Sequence, residues 1–260
     1  MIQKPIANET HKEQRGKVRS EKIERITSLQ DLMKAASGRY FAKARGYWIF
    51  RGHSKACYEL IPSVGRAQPE SREKYEQSLF DMFCREALAF ISNPPRSPWE
   101  WLSIAQHHGL PTRMLDWTYN PLVAMYFAVQ NNENSDGKVS ALHAAATASE
   151  NIRAASPFVI DKPYKFFPNI ITPRIRAQEG VFVVCKNVES PLDQDMPSDW
   201  RIEEYLIPAS AKEFVRWELY GLGVHASSLF PDLDGLGARV KWQHEMSEVR
   251  KRYATQSAKV

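Results

Sequence analysis

Apolar residues recur at steps of three and four over residues 71–93, SREKYEQSLFDMFCREALAFISN. Tyr75, Leu79, Met82, Phe83, Ala87, Phe90 and Ile91 make one helical face. NPPRSP ends that run, because proline cannot continue a helix. Pro98 can then sit in the first turn of PWEWLSIAQHHG, which Gly109 closes. Asn120-Pro121 reads as a cap followed by a first helical residue, opening NPLVAMYFAVQN. Upstream, SLQDLMKAASGRYF reads as a helix capped by Thr27 or Ser28.

The period changes elsewhere. Residues 46–51 form an aromatic and β-branched stretch that predicts a short buried strand. YELIPSVGR is extended and broken by Pro62 and Gly65, and LPTRMLDWT reads as a loop. After the turn NNENSDG, five segments read as short strands: KVSALHAAA, SPFVI, NIITPRI, GVFVVCK and IEEYLIPA. AKEFVRWELYGLGV is an amphipathic helix, and a last helical stretch covers about 226–252. Helices come first, then a strand-rich half, then helices, without a βα alternation. That order predicts one α+β domain over 24–245, with a polar tail at 1–23 and a basic tail at 246–260.

Composition narrows the classes. With 260 residues, 43% hydrophobic, the chain can build one sizeable core. No apolar run suits a bilayer span, and MIQKPIANETHKEQRGK has no signal segment, so the expected location is cytoplasmic. Cys57, Cys84 and Cys185 lack CxxC spacing, which argues against a disulfide framework or a zinc site. The net charge is +5, but residues 1–25 and 241–260 each carry +3 and the body −1. Nucleic acid is therefore expected at most on the tails, not on a basic face of the body.

The densest polar stretch is QHHGLPTRMLDWT at 106–118. His107 and His108 are adjacent, so on a helix they diverge by about 100° and do not chelate one metal as an i,i+4 pair does. Arg51 can grip a phosphate with two parallel bonds, and Gly52 lets backbone approach a ligand. Arg66 and Arg113 are further anion candidates. Gln106 and His107 suit orienting a ligand, and Trp117 or Tyr119 suits stacking on a planar ring. Glu179 or Asp116 suits the role of a carboxylate. For several of these residues there is a plain alternative: an ion pair of Arg51 with Asp116, a turn or cap for Asp116 and Thr118, core packing for Trp117, a carbonyl cap for Arg113.

YWIFRGHS, QHHGLPTRMLDWTYNPLVAMYFA and RIRAQEGVF together resemble the FRG domain family, whose signature here is Phe50-Arg51-Gly52; SSLFPDLDGL at 227–236 is similar to the way its members close. A deeper resemblance is to the arginine-type ADP-ribosyltransferases. It implies an ADP-ribosyltransferase-like fold and NAD as substrate, without a metal. It also implies an ADP-ribosyltransferase or NAD glycohydrolase, of the toxin or phage-defence kind. By position, Arg51 matches the strand-borne arginine, Thr118 the bracing hydroxyl, and Gln178 or Glu179 the third element. Two departures stand out: Asp-Trp-Thr replaces Ser-Thr-Ser, and there is no Glu-x-Glu. The rival expectation is a non-catalytic module that senses a nucleotide or nucleic acid through the same cleft.

Overall fold

The structure is a computed structural model that describes residues 24–40, 48–131, 133–145, 147–169 and 172–257. The expected tail at 1–23 lies outside them. Side-chain period decides most elements. Strand β1 is Glu24–Arg25 and helix α1 Leu29–Tyr40. Ser28 caps α1: its Oγ accepts from Asp31 N at 3.2 Å, while Asp31 Oδ2 accepts from Ser28 N at 3.2 Å. Strand β2 spans Trp48–His53, helix α2 Arg72–Ala87 and helix α3 Pro98–His107. Strand β3 is Met114–Thr118, helix α4 Pro121–Val129 and strand β4 Gly137–His143. Then come α5 (Glu150–Ala154), β5 (Tyr164–Phe166), α6 (Pro173–Ala177) and β6 (Gly180–Val184). Strand β7 (Arg201–Ile207) precedes α7 (Ala209–Gly221), α8 (Ala226–Leu229) and α9 (Leu233–Ser257).

The α+β class holds. Among the described residues, seven strands form one mixed sheet in the order β1-β7-β4-β2-β3-β6-β5. Only β1 with β7 is parallel. One face carries two apolar layers. Phe50, Ala141 and Tyr205 pack with α1, α4 and α7. Met114, Phe182 and Val184 pack with Phe80, Trp99 and Leu102 of α2 and α3. The opposite face carries Ile49, Leu115, Trp117, Val183 and Trp200. The strands alternate between these layers, as a pleated sheet covered on both sides requires.

Five expectations are corrected. Residues 114–118 are a central strand, not a loop, because Met114, Leu115 and Trp117 are buried to either side while Asp116 faces an opening. SPFVI is not a strand: its carbonyls at Pro157 and Phe158 accept from the Arg113 guanidinium instead of from a neighbouring strand. In NIITPRI, residues 173–175 are helical, because Thr172 caps α6 through Ile175 N at 3.2 Å and Pro173 is its first residue. The terminal helical stretch is two helices parted at Pro231. Helix α2 also ends at Ala87, which leaves Phe90 87% exposed rather than on its apolar face.

Among the described residues, no helix is long and apolar enough to cross a membrane.

Candidate functional site

Strands β2 and β3 pair at a single position, Phe50 with Thr118, whereas β3 and β6 pair at five. Beyond Phe50 the two strands part, and Arg51 occupies the gap. Its Nη1 donates to the Asp116 backbone carbonyl, and Nε donates to His53 Nε2 at 3.1 Å. The Asp116 carboxylate is 3.7 Å from Nη1, so the ion pair is loose. Burial pulls the Arg51 guanidinium pKa down, and Asp116 opposes that shift. The side chain is 16% exposed.

Over this gap lies a cleft of about 220 Å³. Helix α3 contributes Gln106 and His107, β3 contributes Asp116 and Thr118, and α6 with its turn contributes Arg174 and Gln178. Asp116, 60% exposed at its side chain, accepts from Gln106 Nε2 at 2.8 Å. Gln106 Oε1 in turn accepts from Thr112 Oγ1 at 2.6 Å, which fixes the amide's orientation. Burial, then His108 and Arg174, pull the His107 pKa down, and Asp116 opposes that shift. Phe127 and Phe182 are apolar lining residues. Asp116 is the only carboxylate among the described residues lining the cleft.

Of the residues expected at a site, Arg51, Gly52, Gln106, His107, Asp116, Trp117, Thr118 and Gln178 line this cleft. Several do so for reasons other than those expected. A Cβ on Gly52 would stand 1.9 Å from the Ala124 carbonyl, so the glycine admits the α4 backbone rather than a ligand. Trp117 turns its ring into the opposite layer, and Tyr119 stacks on Phe167 at 5.7 Å; neither ring faces the cleft. Thr118 Oγ1 donates to Gln178 O at 2.7 Å and accepts from Asn120 N at 3.0 Å, tying β3 to the turn before β6. The Gln178 side chain donates to Leu229 O at 3.2 Å.

Three expected residues lie elsewhere. Glu179 adopts a left-handed backbone with φ 46°, and its carboxylate accepts from Asn120 Nδ2 at 2.9 Å. Arg66 donates twice to Ile61 O, at 3.1 and 3.0 Å. Arg113 is buried against Glu76, with bonds of 2.8 and 2.6 Å. Arg174 went unnoticed in the sequence; its guanidinium lies 4.7 Å over the Phe230 ring. The signal was present: in a helix started by Thr172-Pro173, residues 174 and 178 stand one turn apart on one face. Among the described residues, no three His, Cys, Asp or Glu side chains gather as a metal would require.

Strand β2 and QHHGLPTRMLDWT thus both contribute residues to one cleft. Residues 46–137 carry an FRG domain. The family model covers β2 through the start of β4, and with it Arg51, Gln106, His107, Asp116 and Thr118. Arg174 and Gln178, which complete the FRG cleft, come from outside the matched residues. No curated protein and no solved structure matches the chain.

Proposed function

We propose that the cleft of this FRG-domain protein binds a nucleotide, with NAD or a related dinucleotide as the class. The observation that carries this reading is the convergence of two arginines, Arg51 and Arg174, with the aromatic residues Phe127 and Phe182 around one opening. Guanidinium groups suit phosphate, and aromatic rings suit a base or nicotinamide. A cleft of about 220 Å³ takes one end of a dinucleotide, with the rest along its mouth.

In the ADP-ribosyltransferase-like reading, departure of nicotinamide leaves positive charge at the ribose carbon. The leaving group is already cationic, so a carboxylate near that carbon is the main requirement. Asp116 is the candidate for it, oriented by Gln106; Glu179 is turned toward the α4 cap. A second reading, a non-catalytic nucleotide sensor, is favoured by the structural bonds that occupy Thr118, Gln178 and Glu179.

The test is thermal stability and nicotinamide release with NAD, using wild type, Arg174→Ala and Asp116→Asn. Ligand at a hundred times Kd stabilises by about 2.7 kcal/mol, and Arg174→Ala should lose most of that gain. Release that vanishes in Asp116→Asn supports the enzyme; binding without release supports the sensor. If NAD, ADP-ribose and ATP all leave wild type unshifted, the nucleotide reading is abandoned.

A further inference from the structure

Among the described residues, five buried side-chain polar atoms lack a hydrogen-bond partner: His53 Nδ1, Trp117 Nε1, Ser140 Oγ, Arg153 Nε and Trp200 Nε1. Folded proteins satisfy nine in ten or more of such groups, so a local concentration of exceptions calls for a cause. Three of the five belong to residues next to Arg51 in the sheet. His53 is two residues along the same strand. Ser140 is the cross-strand partner of Arg51 on β4. Trp117 stands beside Arg51 on β3, one step from the Phe50–Thr118 pair. By the alternation of the pleat, all three share the sheet face away from α4. His53 is 6% exposed, Trp117 3% and Ser140 0%.

These groups also share a chemical character. An indole N–H only donates. His53 Nε2 already accepts from Arg51 Nε, so Nδ1 must carry the hydrogen and also donates. The serine hydroxyl is free to donate. Arg51 adds a positive charge, and the field of Arg66 reaches both Arg51 and His53. The carboxylate opposite Ser140, Glu204, is bound to Lys138 at 3.0 Å. Donors and positive charge with unmet demand call for a ligand that is all acceptor.

We propose that the sheet face behind Arg51 is a site for a small oxyanion of the phosphate class. Arg51 supplies the charge, and His53 Nδ1, Ser140 Oγ and Trp117 Nε1 supply the donors. The entry is the gap where β2 and β3 part. Arg51 borders both this site and the nucleotide cleft, but the oxyanion site does not depend on the cleft's occupant. The oxyanion is either free phosphate or the phosphate of a larger molecule reaching through the gap.

The test is Tm in phosphate-free buffer and with inorganic phosphate, ADP or adenosine, for wild type, Ser140→Ala and Arg174→Ala. In plain buffer Ser140→Ala should melt at or above the wild-type temperature, because it removes an unmet hydroxyl. Phosphate should raise the wild-type Tm, bind Ser140→Ala about tenfold more weakly, and act undiminished on Arg174→Ala. A gain from ADP but not from phosphate, with the same Ser140 sensitivity, assigns the oxyanion to a nucleotide. Three results overturn the proposal: no gain from either anion, equal gains in wild type and Ser140→Ala, or a lower Tm for Ser140→Ala in plain buffer. The last would mean that a fixed water already satisfies the hydroxyl. NAD binding that survives Ser140→Ala leaves the cleft reading standing on its own.

Discussion

Gly52 illustrates how one residue's chemistry can be read two ways. Its lack of a side chain suited close approach by a ligand, yet the approach is made by helix α4. An added Cβ would meet Ala124 O at 1.9 Å and Ala128 N at 2.7 Å, both backbone atoms that cannot swing aside. Gly52→Ala should therefore destabilise by about 3 kcal/mol or more through overpacking. The measurement is a shift of the urea midpoint at unchanged slope. Near-wild-type stability would mean that α4 does not sit this close to β2. Arg51 is the complementary case. Its importance was legible in Phe-Arg-Gly, but its division between Asp116 and His53 depends on how far β2 and β3 separate.

At the scale of elements, Arg113 joins three segments that are distant in sequence. It bonds Glu76 of α2 at 2.8 and 2.6 Å and the Pro157 carbonyl at 3.2 Å, and its own carbonyl accepts from Cys185 N at 3.0 Å. Both charged side chains are nearly buried, 8% and 4% exposed. Removing one leaves the other uncompensated, so Glu76→Ala should cost about 3–5 kcal/mol in denaturant melts. The double variant Glu76→Leu with Arg113→Met should cost much less than the sum of the single changes. Additive losses would show that the pair does not act as a unit. The anion candidate of the sequence is thus a structural clamp. Its acid lies 37 positions earlier, a separation that local pattern does not reveal.

For the whole molecule, the histidines govern the response to acid. Burial first, then Arg51, Lys138 and Arg66, push the His53 pKa down to about 2. His107, His143 and His225 are lowered too, each chiefly by burial. A histidine depressed in the folded state binds its proton more readily when unfolded. Stability is therefore full above about pH 6.5 and declines as pH falls below it. His53 alone contributes a slope of up to about 1.4 kcal/mol per pH unit on that side. Urea melts between pH 7.5 and 4.5 should show the decline, and His53→Gln should flatten it. A pH-independent midpoint in wild type would mean that His53 is not held neutral in the folded protein.

Local chemistry made much of this legible in one dimension. The 3.6-residue period that starts at residue 71, the Pro98 and Asn120-Pro121 starts and the aromatic run before Gly52 each settle their own backbone, and the structure bears them out, except that the helix begun near residue 71 stops at Ala87. The same residues marked most of the cleft, because a polar cluster before an apolar helix has little to do in a plain core. Register and facing were decided only in three dimensions. Whether MLDWT is a loop or a central strand depends on β6 pairing with it along its length. Whether Trp117 is a wall or a core ring depends on the two-residue alternation that pairing imposes. Glu179 and Gln178 are neighbours in the chain, yet the left-handed turn aims one at the α4 cap and the other at Leu229. The sequence by itself marked where polar residues concentrate, though it passed over Arg174. The sheet decided which of them meet, because a side chain's direction is set by partners far away along the chain.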